Sequence, residues 1–356
     1  MEPIEHTKQR SWRRRLLLLG TTLGVLGGGA ALFRRQRQAN ATLDGQLGEP
    51  AGGPVVGDVE FLEDERSVYA GYKEVVIGGW RTRVFDQGQG EAIFFVPIIR
   101  GLEVVYAKQL REFAKTNRVL FYERTESLDK PVYVEERVEE LRRVMDHCGV
   151  EKAHIVGLGD AGVPTFNFGR IYPDRALSLT SLCLGPRYRV PPYWLNEGII
   201  NPLTERLPIE GLIPNAVIRA MVIKGTYGKG RLPAHLIGHM VDHIPEQMRV
   251  HKFSVLPVTH HHEMRDWAHM LQVPTLLINR DDDPLAPVAE TEELAALLPQ
   301  CYGVKVFRDG GRFITYTWAE QVNGLLREFF AKLAAGTPAG APDAAGRMAR
   351  TEVLPL

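Results

Sequence analysis

Residues 153–162, AHIVGLGDAG, decide how this chain is read. Ala153 to Leu158 make a short apolar run of strand type. Gly157-Leu158-Gly159-Asp160-Ala161-Gly162 is built of residues small enough to turn sharply into a helix. That helix runs to Tyr172-Pro173-Asp174-Arg175, where proline stops it. Gly159 falls at the apex of the turn, and glycine takes the positive φ needed there without steric cost. Asp160 follows in the first helical turn, where the helix dipole favours an acid.

Strands and helices alternate outward from this turn. Tyr72 to Ile77 and Arg81 to Phe85 read as an antiparallel pair around Gly78-Gly79. Ala92 to Pro97 is continuously apolar, as expected of a strand buried on both faces. Further strands are expected at 118–122, 177–184, 274–279 and 304–307, with helices at 106–115, 134–148, 288–298 and 318–333. The pattern predicts a mostly parallel, eight-stranded α/β sheet with helices on both faces. Residues 186–272 lack strand character and are expected to form a helical cap over the carboxyl ends of the strands. The whole domain is placed at 63–333.

The ends of the chain differ in composition. Residues 1–41 hold eight Lys/Arg and two acids, which leaves 35 basic against 41 acidic groups in the remainder. That balance excludes a nucleic-acid footprint on the folded part. Leu16 to Phe33 is uncharged, about 27 Å as a helix, and follows Arg13-Arg14-Arg15. It reads either as a twin-arginine-like export signal, with Ala39-Asn40-Ala41 as a cleavage site, or as an uncleaved membrane anchor. Both place the protein at or beyond a bacterial-type inner membrane, with the periplasmic side favoured. Residues 42–62 are expected to be a flexible tether and 334–356 a disordered tail. The three cysteines, Cys148, Cys183 and Cys301, have no metal-ligand spacing.

Residues 68–333 resemble an α/β-hydrolase of the capped branch, the group holding epoxide hydrolases, haloalkane dehalogenases and many esterases. AHIVGLGDAG with YPDRALSLTSLCLG is similar to the nucleophile elbow, its helix and the next strand. VPTLLINRDDDPLAP is similar to the strand and turn bearing the catalytic acid, and VFRDGGRF to the loop bearing the histidine. WAEQVNGLLREFF matches the closing helix. The resemblance implies a nucleophile, a base and an orienting acid. It puts Gly159 at the nucleophile, Asp283 at the acid and Arg312 at the histidine, and no histidine follows His269. Arginine stays protonated and is no base. Arg312 facing Asp283 is expected to form an ion pair in place of the His–Asp pair. The first oxyanion donor falls on Pro97-Ile98, and proline has no N–H. Leu158 and Asp160 complete the elbow lining, and Asp160 is an alternative nucleophile that would still need a base.

Eight of the eleven histidines lie between His235 and His269. His235, His239 and His243 share one helix face and could chelate a metal, although a polar stripe accounts for them as well. No other cofactor is implied. These readings lead to the expectation of a membrane-tethered or exported pseudoenzyme that binds a small apolar ligand or joins a membrane complex. The alternative is an enzyme of unusual mechanism that uses Asp160, cap histidines or a metal on a small apolar substrate.

Overall fold

The computed structural model describes residues 58–188, 198–199, 202–203, 249–260, 262–281, 283, 285–308, 311, 313–339 and 351–354. The leader at 1–41, most of the cap with His235, His239 and His243, and Arg312 lie outside the described residues.

A mixed sheet of nine strands organises these residues, in the order β1-β2-β4-β3-β5-β6-β7-β8-β9. The strands are β1 (Tyr72–Ile77), β2 (Trp80–Gln87), β3 (Ala92–Val96), β4 (Arg118–Tyr122), β5 (Ala153–Leu158), β6 (Ala176–Leu182), β7 (Thr275–Arg280), β8 (Cys301–Phe307) and β9 (Thr351–Val353). β1 and β2 pair antiparallel, β2 meets β4 antiparallel, and every later pairing is parallel. The central strands are apolar on both faces because helices cover both. All five residues of β3 and all six of β5 are buried.

The helices are α1 (Asp58–Ala70), α2 (Ala107–Phe113), α3 (Val134–His147), α4 (Gly162–Ile171), the short α5 (Leu256–Thr259), α6 (Val288–Leu297), α7 (Ile314–Thr317) and α8 (Ala319–Ala334). Val138, Leu141, Val144 and Met145 of α3 are all buried, as their spacing predicts.

Two boundaries depart from expectation at the edges. The tether was expected to reach residue 62, but the chain is helical from Asp58. Phe61 packs edge-on to Tyr316, with ring centroids 6.0 Å apart, and buried Asp64 accepts hydrogen bonds from Arg111 and Tyr316. The tail was expected to be disordered, but Thr351–Val353 adds a ninth strand beside β8, with Lys305 ion-paired to Glu352. Both segments gain order from partners far away in sequence, which local composition does not register.

Gly159 lies at φ +59° between β5 and a 3₁₀ turn (Gly159–Ala161) that leads into α4. A Cβ on Gly157 would lie 2.3 Å from Thr165 Oγ1 and 2.6 Å from the Ala161 carbonyl oxygen, so strand and helix approach too closely for any side chain.

Candidate active site

The elbow stands at the carboxyl ends of the parallel strands, where open α/β sheets place their ligands. Leu158 ends β5 and donates its backbone N–H to the Tyr106 hydroxyl at 2.8 Å. Burial pushes the Tyr106 phenol far above its ordinary range, so it stays neutral and anchors the turn. Pro97 and Ile98 are buried at the end of β3. The Asp160 amide, at the start of the helical turn, occupies the position of the second oxyanion donor of such elbows.

Asp160 is held by a buried arginine that the sequence reading passed over. Arg124 Nη1 donates to Asp160 Oδ2 at 2.9 Å, and its Nε donates to Glu126 Oε1 at 2.6 Å. Arg137 carries the chain on, donating to Glu126 at 3.3 Å and to Glu140 at 3.0 Å. Arg124 and Arg137 are 6% and 3% exposed, so these charges must balance one another rather than be solvated. The available signal was the charged run Glu123-Arg124-Thr125-Glu126 directly after a buried strand.

The same loop fixes a histidine. Ser127 N–H donates to Ser254 Oγ at 2.7 Å, and Val132 N–H donates to the Phe253 carbonyl at 2.7 Å. These bonds staple residues 123–133 to a π-helical turn, His251–Val255, a type of turn frequent at functional sites. His251 begins that turn. Its imidazole is within electrostatic reach of both Asp160 and Arg124. Burial lowers its pKa below the usual imidazole value, Asp160 pulls it back up and Arg124 pushes it down. The neutral form of the imidazole is therefore favoured, within the field of the elbow carboxylate. The sequence reading sought the base after β8, whereas this one arrives from the segment before β7.

Asp283 is buried in the turn after β7, with Oδ1 accepting from the amides of Leu285 at 2.8 Å and Ala286 at 3.2 Å. Its Oδ2 lies 3.6 Å from Nε of Arg280, the last residue of β7, and both side chains are fully buried. The arginine expected to face Asp283 was Arg312, which is outside the described residues; Arg280 faces it here. Among the described residues no cluster of three His, Cys, Asp or Glu is arranged to hold a metal ion, and no helix is long and apolar enough to cross a membrane.

This fold and elbow define an α/β-hydrolase-fold protein. No protein-family model matches the chain. It is 23% identical over 307 residues to a 2-hydroxy-6-oxononadienedioate/2-hydroxy-6-oxononatrienedioate hydrolase of Comamonas testosteroni, covering 76% of this chain and 99% of that protein. Among solved structures it is similar to a thermophilic esterase from Thermogutta terrifontis, with a TM-score of 0.58, 19% identity, and coverage of 74% of this chain and 98% of that one. The enol-lactonase from Burkholderia xenovorans LB400 superposes with a TM-score of 0.59 at 16% identity, over 73% of this chain and all of that one. The expectation of a pseudoenzyme is corrected on this ground. The proteins that the chain resembles along almost their whole length are hydrolases, which favours the alternative reading of an enzyme.

Proposed function

We propose that this protein is a hydrolase of small, largely apolar esters or lactones, working at the elbow through water activated by His251 and Asp160. The observation that carries the reading is a half-buried imidazole, favoured in its neutral form, within electrostatic reach of an elbow carboxylate at the carboxyl ends of the strands. The esterase and the enol-lactonase that share the fold support a carbonyl carbon as the reaction centre.

His251 accepts a proton from water as the water oxygen bonds to the carbonyl carbon. The carbonyl π electrons move to its oxygen, where the Asp160 amide is placed to stabilise the charge. The Asp160 carboxylate stabilises the imidazolium. Arg124 holds Asp160 in place, and Glu126 offsets the arginine charge. Collapse of the tetrahedral intermediate expels the alkoxide, which takes the proton back from His251. In this scheme Gly159 has no covalent role, and its positive φ shapes the turn.

The test is hydrolysis of p-nitrophenyl acetate and γ-butyrolactone by the wild type, H251Q and D160N. Loss of the general base in H251Q is expected to lower kcat by about 10²- to 10⁴-fold with thermal melting preserved, and D160N is expected to lower kcat as well and also the melting temperature, because it unbalances Arg124. Variants that hydrolyse both substrates at the wild-type rate would overturn the reading.

A further inference from the structure

Residues 97–102 turn the chain from the end of β3 into a 3₁₀ helix, Glu103–Tyr106. Gly101 makes that turn possible at φ +88°. The sequence resemblance places the first oxyanion donor where the turn begins, at Pro97-Ile98. Carboxylates hold its far end by consecutive backbone amides. Arg100 N–H donates to Glu126 Oε1 at 2.9 Å, and Gly101 N–H donates to Glu103 Oε2 at 2.8 Å. The Arg100 side chain adds an ion pair, with Nε 2.7 Å from Glu123 Oε1. Glu103 and Glu123 also accept from Tyr69 and Arg83 respectively.

Glu126 has a second set of partners. Its Oε1 also accepts from Arg124 Nε at 2.6 Å, and its Oε2 accepts from Arg137 at 3.3 Å. Its side chain is 6% exposed, so these donors rather than water satisfy the charge. The Arg124 guanidinium is a rigid plane, and its other edge donates to Asp160 Oδ2 at 2.9 Å. A shift of Glu126 therefore tilts that plane and carries Asp160 with it. The same shift moves the Arg100 amide. One carboxylate oxygen thus links the turn after β3 to the elbow acid.

We infer that Glu126 is a positioning residue, which fixes the gap between the turn at 97–102 and the elbow, where a carbonyl group would be held. Its kinetic consequence rests on the hydrolase reading, whereas the mechanical link does not. Small displacements of reacting groups are costly, a misplacement of about 1 Å lowering the rate on the order of 10²-fold. The chemistry stays with His251 and Asp160, and Glu126 acts on it through Arg124 and the turn.

The experiment pairs NMR hydrogen exchange of the full chain, labelled with ¹⁵N-arginine, with p-nitrophenyl acetate kinetics for the wild type, E126D and E140Q. In the wild type, the amide of the exposed Arg100 and the Arg124 Nε–H should both exchange at least about tenfold more slowly than in an unstructured peptide, the worth of one hydrogen bond to a charged group. E126D keeps the charge and withdraws the carboxylate by one methylene. Both signals should then lose protection together, and kcat should fall about 10- to 100-fold with KM little changed. Glu140 bonds to Tyr122 and Arg137, so E140Q removes an equal charge from the network without touching the turn or Arg124. It should lower the melting temperature and leave both signals protected. Unprotected exchange of either signal in the wild type, loss of one protection without the other in E126D, or E126D at the wild-type kcat would each overturn the assignment. A wild type inactive on the ester fails the hydrolase reading instead, and the two exchange rates then decide whether Glu126 links the turn to the elbow.

Discussion

Arg280 Nε lies 3.6 Å from Asp283 Oδ2, and neither side chain reaches solvent. Asp283 stands in the turn after β7, where the sequence resemblance places an acid, and Arg280 at the end of the strand faces it. In the dry interior the two charges depend on each other.

Removing one partner should therefore be costly. R280M is expected to lose about 3–5 kcal/mol of stability in urea unfolding, because it removes a buried positive charge 3.6 Å from the Asp283 carboxylate. The double variant R280M/D283N should lose less than the sum of the two single changes, since residues in contact couple. Additive losses would show that the pair does not interact energetically.

The elbow pair makes a kinetic prediction. His251 serves as a base only when neutral, and burial keeps its pKa below the usual value of about 6.5. kcat/KM should thus be level at pH 7 and fall only in more acidic solution. D160N removes the charge that raises this pKa, so the acid limb should move to lower pH as the plateau drops. An acid limb at the same pH in D160N would rule out His251 as the titrating base.

The fold was legible in the sequence wherever burial is continuous. Ala92–Val96 and Ala153–Leu158 announce themselves as apolar runs, and the turn after β5 is marked by Gly157, which has no room for a side chain, and by Gly159 at positive φ. The site was legible only in part. Asp160 follows from its place after the turn, but Arg124 bonds to it from 36 residues before, and His251 comes within its electrostatic reach from inside the cap segment, held by staples such as Ser127 to Ser254. No periodicity encodes those contacts. In α1, a helix rich in charge, Phe61 and Val68 are buried one heptad apart with buried Asp64 between them, a stripe too thin to stand out.

The C-terminal strand predicts how the sheet edge behaves. Thr351 Oγ1 donates to Glu292 at 2.7 Å, Leu354 N–H donates to the Val306 carbonyl at 2.9 Å, and Glu352 pairs with Lys305. Deleting residues 340–356 should leave the fold intact and cost about 2 kcal/mol, from a few edge hydrogen bonds at ~0.5–1.5 kcal/mol each. It also bares the β8 edge, so the truncated chain should self-associate more with rising concentration in sedimentation. A truncated chain that melts and sediments like the full one would show that β9 contributes nothing to the sheet.

His262 ties stability to pH in a direction its burial dictates. Its folded pKa of about 4 lies below the unfolded value of about 6.5, so the unfolded chain takes up the proton first. The stability that depends on a neutral His262 is complete above about pH 6.5 and is lost as pH falls toward 4. Over that window the loss is on the order of 3 kcal/mol. His154 adds a slope of the same sign: burial lowers its pKa although Glu91 lies 2.7 Å from Nε2, and its ring stacks on Phe330. Urea midpoints taken between pH 7 and pH 4.5 should therefore fall steeply for the wild type and less steeply for H262F, which keeps the His154 contribution. Parallel midpoint curves for the two proteins would mean that His262 carries its proton equally well folded and unfolded, against the direction that its burial dictates.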